Sequence, residues 1–198
     1  MKSIFAIFIG IAILPALAQS PNRITQMQDM LEAEIVLKID QAFHDGRFGD
    51  CLDALYSQLS LHPTDSDVQG QIIFMWRNVT FESKAISEAT RFRLESPMNP
   101  MIAFNEGTLY QVKKLFSRIP PILEPCFMNA TTVQPFILLA DAYEKLGLIG
   151  EALRVCKVLR ERFPADPSGR RQLQRLQNKM DGKEPIFPPP PPAPKKPA

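Results

Sequence analysis

The sequence predicts an all-α chain made of repeated helical hairpins. Apolar residues recur at three- and four-residue spacing along most of its length, and strand-like alternation is nearly absent. Two hairpins share one template: Gly46 to Pro63 and Gly147 to Pro164 are each 17 residues. The interval between them holds whole copies of a longer unit. Pro63 to Pro97 and Cys51 to Ala85 both span 34 residues, and Pro97 to Pro164 spans 67, one short of two further copies.

The chain opens with Lys2, an apolar run from Ile4 to Leu14, then Pro15 and Ala16-Leu17-Ala18. A charged start, a hydrophobic stretch and a small-x-small site form a secretory signal, with cleavage expected near Ala18/Gln19. The run is shorter than the ~20 apolar residues of a spanning helix. The expectation is a secreted or periplasmic protein with no membrane insertion once 1–18 is removed; an uncleaved anchor is the reading that this length argues against.

Residues 19–31 lead into a first helix whose face carries Ile24, Met27, Leu31 and Ile35, continued by Ile39, Ala42 and Phe43. It ends at His44-Asp45-Gly46, where glycine can take the left-handed conformation of a helix stop. The second helix carries Phe48, Cys51, Leu52, Leu55 and Leu59 and cannot continue through Pro63. The next hairpin sets Val68, Ile72, Ile73, Trp76 and Val79 against Ala85, Ile86, Ala89 and Phe92. It has no glycine at its hinge, and Ser83 offers an N-cap-like start instead.

A third unit begins with Met101, Phe104, Gly107, Leu109, Tyr110 and Leu115, then meets Pro120, Pro121 and Pro125. Three such prolines do not fit one regular helix, although Pro120 or Pro121 can open a short one. Residues 117–132 therefore read as a short, distorted second helix with a loop. The fourth unit is regular again, with Leu139, Ala142, Tyr143 and Leu146 before Gly147 and Ile149, Ala152, Leu153, Cys156 and Leu159 after it. A last helix over 168–180 has Leu173, Leu176 and Met180 on one side and Arg170, Arg171, Arg175, Gln177 and Lys179 elsewhere. Such a half-polar helix ends a hydrophobic seam in water; the competing reading is a contact site for anions. Residues 181–198 form a proline-rich tail outside the fold, a stiff solvated spacer or a ligand for an aromatic groove.

These units resemble tetratricopeptide repeats (TPR), whose 34-residue helix–turn–helix period they share. The copy at 133–166 has Phe136, Leu139, Ala140, Tyr143, Gly147, Ala152 and Pro164 at the family's large, small and turn positions. It departs at Cys156, where an aromatic is usual, and at Leu159, where a small residue is usual. The copy at 32–65 keeps Ala42, Gly46, Cys51, Leu55 and Pro63, the copy at 66–99 keeps Trp76, Ala85, Ala89 and Pro97, and 100–132 is degenerate. The resemblance implies a right-handed α-solenoid of about four TPR-like repeats over 32–180, closed by the C-terminal capping helix. It also implies a concave side, lined by first helices, that receives a peptide or partner helix. By register that side carries Asp40, Phe43, His44, Phe74, Arg77, Asn78, Phe104, Gln111, Asp141 and Lys145. A subgroup of the family clamps the carboxylate end of chaperone tails with basic and amide residues; Val36, Asp40, Gly70 and Phe74 stand at the corresponding places, so that clamp is absent.

A net charge of +2, or +1 without Lys2, gives no electrostatic case for nucleic acid. His44 and His62 have no metal-binding spacing, and HExxH, CxxC, phosphate loops and GxSxG are missing from the sequence. No catalytic, metal or cofactor set is expected. Asp141 and Glu144 read as solvated helix charge, and His44 as a residue favourable to the helix dipole. Cys51 and Cys156 read as small buried hydrophobes, whereas Cys126, in the irregular stretch, is the thiol to test for reactivity. Asn78-Val79-Thr80 and Asn129-Ala130-Thr131 match glycosylation acceptors that matter only in a eukaryotic secretory pathway. The expected function is an exported, non-enzymatic protein-binding module that takes a peptide or helix, with self-association as a further option. The alternative is a structural envelope component that docks through its proline-rich tail and basic terminal helix.

Overall fold

The computed structural model describes residues 20–183, so the signal segment 1–18 and the proline-rich stretch from Pro185 lie outside the described residues. The described residues form two compact units, 20–61 and 62–183, with no strand in either. The first is one hairpin: α1 (Ser20–His44) and α2 (Phe48–Leu61). Ile35 and Ala42 of α1 meet a core that includes Cys51, Leu52 and Leu55 of α2. The apolar stripe expected to be buried along all of α1 is buried only in its second half. Ile24 (62% exposed), Met27 (71%) and Leu31 (46%) lie open, while Ile35 is 7% exposed. The reason is length: at 1.5 Å per residue α1 is about 37 Å long and α2 about 21 Å, so the first turns of α1 overhang their partner.

The second unit contains α3 (Ser66–Asn78), α4 (Glu82–Glu95), α5 (Pro100–Val112), a one-turn α6 (Pro120–Leu123), α7 (Gln134–Lys145), α8 (Ile149–Arg162) and α9 (Pro167–Met180). First helices α3, α5 and α7 pack side by side. The second helix α4 packs on α3 and α5, and α8 packs on α7 and α9.

One hinge geometry recurs through the chain. Gly46, Thr80, Lys114, Gly147 and Gly182 all have positive φ, at intervals of 34, 34, 33 and 35 residues. In each case the next amide reaches back to the helix it leaves: Arg47 N to Ala42 O, Phe81 N to Trp76 O, Leu115 N to Tyr110 O, Leu148 N to Tyr143 O and Lys183 N to Asn178 O. This is the Schellman helix stop. Where glycine is missing, Thr80 (φ 65°) and Lys114 (φ 59°) take its place, at a steric cost of about 1–2 kcal/mol for a residue with a Cβ. The Trp76 and Phe81 rings, edge to face at 6.1 Å, supply the apolar contact that accompanies the motif. Ser83 is therefore not the cap expected from the sequence. Phe81 occupies that place with no side-chain bond, and α4 starts at Glu82. Leu115 likewise lies beyond the hinge and outside α5.

Starts repeat as well as stops. Asp65 accepts from the amides of Asp67 and Val68, Asn99 from Met101 and Ile102, and Asp166 from Ser168, each satisfying amides that the helix itself cannot bond. The equivalent position before α7 is Val133, which has no side-chain cap bond. The uncapped start follows the irregular segment directly. There, 3-10 turns at Phe116–Arg118 and Phe127–Asn129 flank α6, which Pro120 opens. Despite its broken backbone the segment buries Ile119, Leu123, Cys126, Phe127 and Ala130 in one core with Phe136, Leu139, Tyr143, Ala152, Cys156, Leu159 and Leu176. Gly107 permits this packing, because a Cβ there would lie 2.8 Å from Leu138 Cδ2.

Candidate functional site: the face of the first helices

Polar ties hold neighbouring first helices of the second unit together. Asn105 of α5 reaches Ser66 O of α3 at 3.5 Å, and Gln111 of α5 donates to Asp141 of α7 at 3.0 Å. Arg175 and Lys179 of α9 both bind Glu144 of α7, at 2.5 Å and 2.9 Å. Glu144 is buried, and the Arg175 hydrogen bond, helped by Lys179, draws its carboxyl down to about 2 against the opposing effect of burial. Expecting Asp141 and Glu144 to be solvated was wrong: both carboxylates join one repeat to the next. The same bonds occupy Arg175 and Lys179, which the sequence suggested as part of an anionic contact stripe; Arg170 and Arg171 stay exposed.

The other repeat contacts have a similar character. Glu106, fully enclosed, accepts from Thr90, Tyr110 and Arg93 and so ties α4 to α5. Glu124, in the irregular segment, accepts from the Tyr143 hydroxyl at 2.7 Å and from Arg154 of α8. Burial and the neighbouring Glu124 push the Tyr143 phenol up to about 12. Tyr143 is buried and its hydroxyl ties α7 to the irregular segment. Ala85 and Ala152 are fully buried, as is Cys51 in the first unit.

Of the residues assigned to the concave side, Phe74, Arg77, Asn78 and Lys145 are exposed on the second unit. Phe104 is half-buried and packs against the core. Gln111 and Asp141 are half-buried and bonded to each other. In the first unit Asp40 and His44 lie 3.4 Å apart on the exposed face of α1, and Phe43 rests edge-on against His44 and Phe48. Sequence reasoning missed Val112 and Thr108. They stand 34 residues after Asn78 and Phe74 and 33 before Lys145 and Asp141, so the period alone could have found them. Val112 is exposed and Thr108 half-buried.

Cys126 lies in the core with its Sγ directed at the Leu123 carbonyl, and burial raises its thiol above the ordinary value. Cys156 is pushed up to about 11 for the same reason. A raised, enclosed thiol is a poor nucleophile, which corrects the choice of Cys126 as the cysteine to test for reactivity. Among the described residues no helix is long and apolar enough to cross a membrane, and no group of three or more His, Cys, Asp or Glu is placed to hold a metal.

No family model matches the sequence, and no curated protein matches it. Solved structures do resemble the fold. A double mutant of MamA RS-1 superposes with a TM-score of 0.57 at 14% identity, covering 76% of this chain and 85% of that one. A crystal structure of MamA protein gives 0.57 at 12% identity over 77% and 83%, and MamA from residue 41 onward of Desulfovibrio magneticus RS-1 gives 0.56 at 14% over 76% and 86%. At these identities the likeness bears on the fold alone, and it supports the all-α α-solenoid of TPR-like repeats for this chain.

Proposed function

We propose that this protein is an exported, non-enzymatic binding module that holds a peptide or helix against its first-helix face. One observation carries the reading: polar ties run between first helices within the layer, yet Phe74, Arg77, Asn78, Val112 and Lys145 stay open above it. Two apolar groups beside two cations suit an amphipathic partner helix with carboxylates next to its apolar face. Export rests on the residue pattern of the first 18 positions. The alternative, docking through the proline tail and basic terminal helix, is less favoured because two of that helix's cations are occupied by Glu144.

Affinity capture from the native envelope, followed by mass spectrometry, tests the proposal. Arg77→Glu and Lys145→Glu should each weaken capture about threefold or more while leaving the thermal midpoint unchanged, because both side chains are exposed. Deleting 185–198 should leave capture intact. Loss of capture on that deletion, with no effect of either charge reversal, would transfer the role to the tail.

A further inference from the structure

The overhanging half of α1 carries an apolar face that the other described residues leave uncovered. Ile24, Leu31, Ile35 and Ala42 follow one another at spacings of seven, four and seven residues, with Met27 between the first two, so they share one face of the helix. From Ile35 onward that face is covered by α2. Over the first three turns it carries Ile24, Met27 and Leu31 in the open. An exposed amphipathic stretch in register with a buried one continues a packing seam rather than scattering single apolar residues.

The charges beside the seam indicate the occupant. Arg23 and Glu34 are eleven residues apart, just over three full turns, and so stand on the same flank near opposite ends of the open stripe. When a helix pairs with a copy of itself in antiparallel fashion, like flank meets like flank with the ends exchanged. If Ile24 of one copy lies against Leu31 of the other, the Arg23 guanidinium falls beside the Glu34 carboxylate, and the two-fold axis makes the pair twice. In a two-fold parallel pair each flank faces the opposite flank of the other copy, so Arg23 and Glu34, on one flank and near opposite ends of the stripe, do not meet at all; only the antiparallel pair brings them together. Glu34 is exposed and pairs along its own helix with Lys38 at 2.8 Å, so it is accessible to such a contact.

We propose that the N-terminal half of α1 is a self-association surface, on which a second copy of this chain docks its own α1 antiparallel through Ile24, Met27 and Leu31, with Arg23 of each copy beside Glu34 of the other. Three apolar side chains per copy make a modest interface, so the dimer is concentration-dependent. It is separate from the first-helix face and does not rest on the reading of that face.

Sedimentation equilibrium of the chain, expressed from the whole sequence and purified as the cell processes it, should show a monomer–dimer equilibrium. Leu31→Asp should weaken association by about tenfold or more, because it places a charge in the apolar seam; its circular dichroism melt should match the parent because Leu31 is exposed. Arg23→Glu alone and Glu34→Arg alone should each weaken the dimer about two- to fivefold, and the double exchange R23E/E34R should restore it. A chain that is monomeric at every concentration overturns the proposal and leaves the face to a different protein. So does a dimer indifferent to Leu31→Asp, and a dimer that loses association with Leu31→Asp but ignores both charge changes overturns the antiparallel register.

Discussion

The second halves of the third and fourth repeats do the same work with different backbones. After Gly147 the chain forms a regular helix, α8, whose Ala152, Cys156 and Leu159 are fully buried. After Lys114 it forms two 3-10 turns around one turn of α-helix, yet Ile119, Leu123, Cys126 and Ala130 are buried just as completely. The entry is shared: both segments start two residues after a left-handed residue and hang on the same reach-back hydrogen bond. What a repeat must preserve is therefore its hinge and the apolar contents of its layer. A continuous second helix is one way to deliver those contents. Glu124 compensates for some of the lost regularity by bonding Tyr143 and Arg154 of the following repeat.

The comparison breaks first at the core. Leu123→Ala in the irregular segment and Leu159→Ala in α8 each remove a fully enclosed side chain. Each should cost about 2–5 kcal/mol in urea unfolding, and the two values should agree within about 1 kcal/mol if the layers are equivalent. A much smaller loss at Leu123 would mean that the broken segment collapses around the cavity and packs less firmly.

Acid should act next, through α7 and α9. Glu144 has a carboxyl lowered to about 2 by Arg175 and Lys179, against an ordinary value of 4.5. A depressed carboxylate stabilises the fold fully above its unfolded value, and the contribution is lost as pH falls through the folded value. The loss should run from about pH 4.5 down to about 2 and, after allowance for solvent screening, amount to about 1–2 kcal/mol. Thermal melts of the parent and of Glu144→Gln across that range should converge at the acid end. Parallel curves would assign the acid sensitivity to other carboxylates.

The smallest effect concerns the hinges. Thr80→Gly and Lys114→Gly should stabilise by about 0.5–1 kcal/mol, because glycine reaches a positive φ without the Cβ penalty and this outweighs its extra unfolded-state entropy. Gly147→Ala should destabilise by about 1 kcal/mol for the converse reason. If both glycine substitutions instead destabilise, the side chains of Thr80 and Lys114 contribute more at the hinge than their backbone costs.

Much of this design is legible one residue at a time. Gly46, Gly147, Pro63 and Pro164 mark two hairpins by the conformations they allow or forbid, and the 34- and 33-residue intervals place two further units between them. Thr80 and Lys114 give no such signal. A left-handed threonine or lysine is stable only where a packed hinge imposes it, and for Thr80 the Trp76–Phe81 contact is part of that hinge. Glu144 misleads in a similar way. On its own helix it is an acid three residues from another acid, and it becomes a buried tie only when α9 brings Arg175 and Lys179 within reach.

The sequence by itself determined the all-helical class, the repeat length, most helix limits and the place where the pattern fails, because each depends on local propensity and on periodicity. Tertiary structure alone decided which apolar and charged residues are spent inside the fold. Phe104, Gln111 and Asp141 were drawn partly into the layer, Phe74, Val112 and Lys145 were left exposed, and half of the α1 stripe was left uncovered. Burial is a property of what a neighbouring element brings to a face, and no single helix carries that information in its own residues.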